Sequence, residues 1–237
     1  MSIEIWDWGL GYIYLWDILI AWKWGESWWK PWSNTIAYYP LNWNVNDASG
    51  NGYNWTRQWT SHYETLSSWI QVASFPKDTS QVNYISSSLN TEPKTVSFWV
   101  KQDNYVTWSS LIWMVNAENW HWQLRFTDTS WTYYIKFYWW ETNLAQVSII
   151  WSWTNIVLTM DNWTVNLYAN WVLKWTLTWQ TTSPSWTLYI GWNRYGWNNT
   201  NKRNLEWYMS EVILESVVWT ATEISNYYNA TKSNYWL

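Results

Sequence analysis

Tryptophan occupies positions of this chain where the backbone of a β-turn calls for glycine. The sequence holds 32 tryptophans and only 7 glycines, whereas average proteins contain about 7% glycine. Asn170-Trp171 separates two alternating runs, 165–168 and 172–174, which predict paired strands joined by a two-residue turn. That turn needs positive φ at both central residues, so Asn-Gly is the usual pair and a bulky aromatic is a steric outlier.

A single cause would explain every such position. The gene would come from a lineage or virus that reads the UGA codon as glycine, and it would have been translated with a table that reads UGA as tryptophan. Each UGA-encoded glycine would then appear as tryptophan, and glycines with other codons would remain. The rival is a natural protein with 32 indoles, each seeking about 150–250 Å² of burial. We interpret most tryptophans as glycine positions and expect several of them in exposed turns with positive φ: Trp43, Trp131, Trp163, Trp171 and Trp192. Trp55 fits the same substitution.

Composition excludes several classes of function. At 237 residues the chain is long enough for one large all-β domain, and its formal net charge of -4 offers no basic surface for a nucleic acid. The absence of cysteine excludes disulfides, thiolate metal sites and a cysteine nucleophile. No secretory signal is visible, and 12–22 is too short and polar to insert into a membrane. We therefore expect a virion or an extracellular surface reached by lysis or a specialised secretion route.

Alternating apolar and polar residues between short turns predict an all-β protein, a two-sheet antiparallel jelly-roll sandwich. We predict strands at 36–41, 70–75, 83–86, 95–102, 110–115, 123–127, 133–138, 145–150, 154–161, 164–169, 172–178, 186–190 and 208–217. One short C-terminal helix is predicted at 222–229, with Thr220 as N-cap and Glu223 completing a capping box. The predicted organisation is a small N-terminal β element (1–23, for attachment or assembly), a linker (24–33), the sandwich (34–231) and a tail (232–237).

Five segments, with most tryptophans taken as glycine, closely resemble laminin-G-like domains of the concanavalin-A-like superfamily. They are 38–56, 72–85, 95–101, 153–172 and 188–224, in the order and spacing of that family. The resemblance covers about 34–231 and implies a concanavalin-A-like sandwich. Trp99 and Trp153 fit the family as core tryptophans and Trp219 as the residue before the final helix, while Trp28 and Trp29 stay unassigned.

The N-terminal segment 12–23, with glycine at 16 and 22, resembles a short β element near the starts of many bacteriophage virion and tail-associated proteins. An ordinary N-terminal hairpin with a Gly-Asp turn explains the same residues equally well. Both interpretations stay open on the sequence alone.

Catalytic chemistry finds little support in the sequence. Glycoside hydrolysis needs paired carboxyl groups, and the nearest cluster is Glu206, Glu211 and Glu215, which we interpret as solvated charges at the sheet edge. His62 and His121 lie in unrelated segments without a triad pattern. We expect no catalytic residue and no enzymatic activity.

Two candidate sites remain. The turn around Asn46, Asp47 and Asn51 gathers the oxygen ligands that Ca²⁺ prefers, and members of the resembling family often bind Ca²⁺, with Glu211 as a further candidate ligand. An ordinary turn uses the same residues, and Ser210 stands where relatives commonly carry an acidic residue, which weakens the prediction. For carbohydrate stacking, the candidates on or beside predicted loops are Tyr105, Tyr138, Arg194 and Tyr195.

The sequence therefore favours a non-enzymatic carbohydrate- or protein-binding module of a phage virion or cell surface. The expected partner is a glycan or a surface protein, with assembly into a homo-oligomer or a virion. A glycan-degrading hydrolase of the same superfamily and a decoration protein without a ligand are the alternatives.

Overall fold

A computed structural model describes residues 33–58, 62–66, 70–75, 84–89, 91–103, 109–116, 121–129, 132–138, 145–147, 151–161, 164–178, 186–190 and 207–235. The predicted N-terminal element and most of the linker lie outside these residues. In chain order the strands are β1 (Thr35–Tyr39), β2 (Thr56–Gln58), β3 (His62–Thr65), β4 (Gln71–Phe75), β5 (Tyr84–Leu89), β6 (Thr95–Gln102), β7 (Ser109–Asn116), β8 (His121–Thr129), β9 (Thr132–Tyr138), β10 (Ala145–Gln146), β11 (Thr154–Asp161), β12 (Thr164–Ala169), β13 (Val172–Thr178), β14 (Trp186–Ile190) and β15 (Trp207–Glu215). Helix α1 (Ala221–Thr231) and a 3-10 helix (Lys232–Tyr235) follow.

The described strands form a two-sheet antiparallel sandwich, as predicted. One sheet has 8 strands in the order β13-β12-β11-β6-β15-β4-β3, with β1 also paired to β15. The other has 7 strands in the order β10-β9-β8-β7-β14-β5-β2. Strand β15 connects the larger sheet, because β6 pairs along one side of it while β4 and β1 share the other.

The main hydrophobic core lies between the two sheets. From the larger sheet it takes Phe98, Leu158 and Leu167, and from β5 of the smaller sheet Leu89. In β12 buried and partly exposed residues alternate strictly, as expected for a strand with one face in the core. In β11 every residue except Asp161 is buried, because both faces of the larger sheet are covered.

The C-terminal helices cover much of the outer face of the larger sheet, the face away from the smaller sheet. Ile224 and Tyr227 of α1 pack with Val157 and Trp219 in one buried cluster. The packed chain continues beyond residue 231, since Tyr235 of the 3-10 helix is 3% exposed. The predicted helix is confirmed with its capping box: the Thr220 side chain accepts from the Glu223 backbone, and the Glu223 side chain accepts from the Thr220 backbone.

The predicted turn between β12 and β13 is confirmed. Asn170 and Trp171 have φ of 47° and 64°, the signs that a type I′ turn requires. Trp171 is 50% exposed, and Trp43 is 67% exposed without a positive φ. Trp131, Trp163 and Trp192 lie outside the described residues.

Some tryptophans lie where the sequence did not predict. Trp151, in the connection between the predicted strands 145–150 and 154–161, has φ 61° and is 69% exposed, so it has the backbone of a glycine position although it was not among the tryptophans named for positive φ. Trp55, expected in a turn, is instead buried with its ring 3.7 Å from that of Tyr39, and the Trp207 ring lies 4.2 Å from Phe75. Both rings fill core space that alternation alone could not assign to a large side chain.

Trp99 and Trp153, which were predicted to be core tryptophans, are buried as expected, and Trp219, for which burial was not predicted, is buried as well. Trp99 is 0% exposed, Trp153 7% and Trp219 2%.

Candidate functional site

The predicted calcium loop follows β1 and is organised by the carboxylate of Asp47. Asp47 Oδ1 accepts hydrogen bonds from the backbone N–H of Tyr38 at 3.0 Å and of Ser49 at 2.9 Å, and Oδ2 accepts from the N–H of Tyr53 at 3.1 Å. A carboxylate offers about four acceptor positions, so three backbone amides leave Asp47 about one for any other ligand.

Asparagines complete the loop scaffold. Asn51 Nδ2 donates to the carbonyls of Thr35 at 2.8 Å and Ile36 at 3.0 Å. Asn54 Oδ1 accepts from the Asp47 N–H at 2.9 Å. Asn46 is exposed, and its N–H donates to Asn44 Oδ1 at 2.8 Å. The structure thus brings Asn46, Asp47 and Asn51 into one loop in which the Asp47 and Asn51 side chains hold the backbone.

Glu211, the fourth predicted calcium ligand, lies in β15 beneath helix α1. It is 5% exposed, has φ 50°, and lies at an irregularity in the pairing of β15 with β6 between Ser210 and Ile213. The Tyr227 hydroxyl donates to Glu211 Oε2 at 2.9 Å. Burial and the nearby Glu211 charge raise the pKa of Tyr227 well above its ordinary value.

Within the described part of the chain, no three or more His, Cys, Asp or Glu side chains gather in a group able to hold a metal ion. The calcium site therefore stays a prediction, supported by the loop oxygens and not by an acidic cluster.

Glu215, at the end of β15, is a second buried carboxyl group. It is 0% exposed, and its Oε1 accepts from the Thr35 hydroxyl at 2.7 Å. Oε2 has no hydrogen-bond partner among the described residues. Burial, augmented by the charge of Glu223 and opposed by the Thr35 hydrogen bond, raises the pKa of Glu215 to about 7.

The expectation that these glutamates are solvated edge charges is wrong for Glu211 and Glu215. Helix α1 and the start of β1 cover them, which strand alternation could not reveal. Glu206 lies outside the described residues.

The residues predicted to stack on sugars are not placed by the structure. Tyr105, Arg194 and Tyr195 lie outside the described residues, and so does the side chain of Tyr138, whose backbone ends β9.

Sequence reasoning missed a polar and aromatic patch at the margin of the outer face. Lys101 of β6 lies directly opposite Tyr208 of β15. Lys101 Nζ is 2.7 Å from Asp103 Oδ1 and 5.5 Å from the centre of the Tyr208 ring. Lys101 and Tyr208 meet because β6 pairs with β15, a strand distant in sequence. No local sequence motif marks this pairing.

Comparison with known proteins supports the fold and leaves the family open. No family model matches the sequence, and no curated protein matches it. Domain 4 of AbnA, a GH43 extracellular arabinanase from Geobacillus stearothermophilus solved in complex with arabinotriose, matches with TM-score 0.60 and 16% identity, over 82% of this chain and 98% of that domain.

Two longer structures match in the same way. The binding domain of Paraclostridial Mosquitocidal Protein 1 has TM-score 0.62 and 13% identity over 83% of this chain. A botulinum neurotoxin type C structure, from work on cell entry dependent on two ganglioside molecules, has TM-score 0.59 and 12% identity over 83% of this chain. This chain spans about half of each toxin structure, 52% and 51%.

No helix in the described ranges is both long and apolar enough to cross a membrane. At these identities the similarity establishes the β-sandwich fold and nothing finer.

Proposed function

We propose that this chain is a non-enzymatic recognition module that binds carbohydrate, or a glycan-bearing surface protein, through its loops and sheet margin. The observation that carries the proposal is the match to nearly the whole of an arabinanase domain solved with arabinotriose, over 98% of its length. The toxin structure associated with gangliosides adds a second sandwich with a glycan ligand. A glycan array that includes arabinotriose and ganglioside headgroups tests it, and binding to none of them would favour a decoration protein without a ligand.

The absence of catalysis is part of the proposal. A retaining or inverting glycosidase needs two carboxyl groups about 5–5.5 Å or 6.5–9.5 Å apart flanking the scissile bond. Glu211 and Glu215 are 5% and 0% exposed and each accepts a hydrogen bond from a hydroxyl, so neither faces a polymer in the described structure.

We expect no release of reducing sugar from arabinan or β-glucan. Turnover that disappears in Glu211→Gln or Glu215→Gln, with the fold intact by circular dichroism, would establish the hydrolase alternative.

A virion or cell-surface location, with assembly into a homo-oligomer or virion, is the setting we propose for this module. The resemblance of 12–23 to phage virion elements supports it. Flanking tail or capsid genes, or the chain's peptides in purified virions, test the location directly.

Glycine at many of the tryptophan positions is the companion proposal. It is supported by Trp151 and Trp171, which combine positive φ with 69% and 50% exposure. The burial of Trp55 and Trp207 argues against glycine at those two positions. Intact-mass spectrometry of the natural protein decides, because each glycine in place of tryptophan lowers the mass by the same large step.

A further inference from the structure

The C-terminal helices cover only part of the outer face of the larger sheet. Tyr235 lies over Trp99 and Trp153, with ring centres 4.2 and 4.9 Å away. Because Val100 pairs with Thr154, the next residue of β6, Lys101, lies beside Trp153 in the antiparallel register. The Lys101 side chain is 24% exposed, whereas Trp99, the preceding residue of β6 on this face, is fully buried, so Lys101 is the first residue of β6 beyond the covered part.

A row of side chains crosses the sheet at this margin. Lys101 lies opposite Tyr208, and Tyr208 lies opposite Ser74 of β4. Trp153 closes one end of the row, with its ring 6.4 Å from that of Tyr208. Lys101, Asp103 and Tyr208 are here named the margin patch.

The margin patch is partly exposed and held in place. The Lys101 and Asp103 side chains are 24% and 25% exposed and form an ion pair of 2.7 Å. Tyr208 is half-buried, and Lys101 Nζ lies 5.5 Å from its ring centre. Lys101 and Tyr208 lie in paired strands, and Asp103 directly follows β6 and is held by its ion pair with Lys101, so binding a ligand would require little ordering of these side chains.

We propose that the margin patch binds one residue of a neutral glycan, with the sugar ring against Tyr208 and two neighbouring hydroxyls bonded to Asp103 and Lys101. Asp103 Oδ1 is buried beside Lys101, so Asp103 Oδ2 supplies the acceptor and Lys101 supplies donors, which together match hydroxyls that both donate and accept. The Lys101 and Asp103 charges cancel, so the patch favours an uncharged sugar over a phosphate or a carboxylated sugar.

This inference rests on the proposed carbohydrate-binding function and adds its location and ligand class. The margin patch contains no tryptophan, and Trp153 beside it fits the resembling family as tryptophan. The margin patch also contains none of the loop residues considered for calcium.

The test measures affinity of the full chain for immobilised arabinotriose, cellotriose and mannotriose, with sialylated ganglioside headgroups as the charged comparison. Tyr208→Leu should weaken binding to the best of these probes by about tenfold or more, as loss of an aromatic anchor does. Tyr208→Phe should keep most of the affinity, and Asp103→Asn and Lys101→Met should each weaken it several-fold. Matched controls away from the margin patch are Tyr168→Leu, Asp161→Asn and Lys174→Met, which should bind like the unmodified chain.

The outcomes separate the site from the function. Unchanged affinity in all margin-patch variants, with the unmodified chain binding a neutral probe, overturns the site and leaves the carbohydrate-binding function standing. Binding only to sialylated ganglioside headgroups overturns the neutral-sugar class. Absence of binding to every glycan overturns both. Thermal unfolding of each variant identifies a loss of affinity that comes from misfolding.

Discussion

Residues other than glycine with left-handed backbone include an exposed pair and a buried pair in this chain. Trp151 and Trp171 are exposed at φ of 61° and 64°, so no packing compensates the steric cost. Leu41 and Glu211 have φ of 56° and 50° but are buried. Leu41 follows Pro40 in the chain, and the Pro40 carbonyl accepts from the Glu211 N–H at 3.3 Å. Surrounding contacts therefore compensate the backbone strain at Leu41 and Glu211. At Trp151 and Trp171, replacement by glycine would remove it.

Trp171→Gly and Trp151→Gly should each leave stability unchanged or raise it by up to about 1 kcal/mol, because relief of left-handed strain outweighs glycine's entropy in the unfolded chain. Urea unfolding measures the change. The control Trp99→Gly should lower stability by more than about 3 kcal/mol, since that ring is fully buried. A loss above about 1 kcal/mol in Trp171→Gly would contradict the strain argument.

The carboxyl group of Glu215 should make stability depend on pH. Its pKa rises from 4.5 to about 7 on folding, so the folded chain binds more protons than the unfolded chain between those values. Stability from this group is full below pH 4.5 and is lost as pH rises through about 7. The loss should be at most about 3–4 kcal/mol, since the pKa moves from 4.5 to about 7 and each pKa unit corresponds to about 1.4 kcal/mol.

Glu215→Gln isolates this effect. Denaturant unfolding at several pH values between 4 and 8, roughly the window of the shift, should show a difference between the two proteins that changes with pH. Parallel curves for Glu215→Gln and the unmodified chain would show that Glu215 titrates normally.

At the scale of the elements, local sequence patterns predicted many strands and the helix well, whereas contacts between distant segments were not predicted. The strands at 95–102, 154–161, 164–169, 172–178 and 186–190 agree with the observed bounds, because alternation and turn residues act within a few positions. The short strands β2 and β3 were missed, since their few residues show no period. The burial of Glu211 under Tyr227, and the meeting of Lys101 with Tyr208, depend on pairings between distant segments that one sequence does not encode locally.

Helix α1 should depend on its capping box. The Thr220 hydroxyl oxygen accepts from the Glu223 N–H at 3.2 Å, and Glu223 Oε2 accepts from the Thr220 N–H at 2.7 Å. Thr220→Ala should lower the free energy of unfolding by about 1 kcal/mol. Thr220→Ser, which keeps the oxygen, serves as the control and should lose less than half of that. Equal losses in the two variants would assign the effect to the lost methyl group.

The loop after β1 should depend on Asp47 whether or not calcium binds. Asp47→Ala removes the acceptor of three backbone N–H groups and should lower stability by about 1–3 kcal/mol. We expect this loss already in EDTA, because the three hydrogen bonds need no metal ion. A loss seen only with calcium, together with a Ca²⁺-induced rise in melting temperature of the unmodified chain, would instead establish the calcium site.

At the scale of the whole molecule, cover on both faces of the larger sheet limits where a ligand can reach that sheet. The smaller sheet covers one face, and α1 with the 3-10 helix covers much of the other. On the larger sheet, the polar groups that remain available in the described part therefore lie mainly at its margin and in the adjoining loops. A site of this size contacts few sugar residues, so a single module should bind weakly.

Display in several copies should therefore change the binding more than any single contact does. Linking modules turns later contacts into intramolecular ones and raises apparent affinity by about 10²–10⁴-fold where the spacing of sites allows. We expect the biotinylated chain on streptavidin to dissociate from a polysaccharide surface far more slowly than the free chain, as measured by surface plasmon resonance. Tetramers of Tyr208→Leu should lose most of this gain and tetramers of Tyr168→Leu should keep it. If free and tetrameric chains dissociate at the same rate, single modules bind independently and a multivalent role on a virion or cell surface is excluded for that polymer.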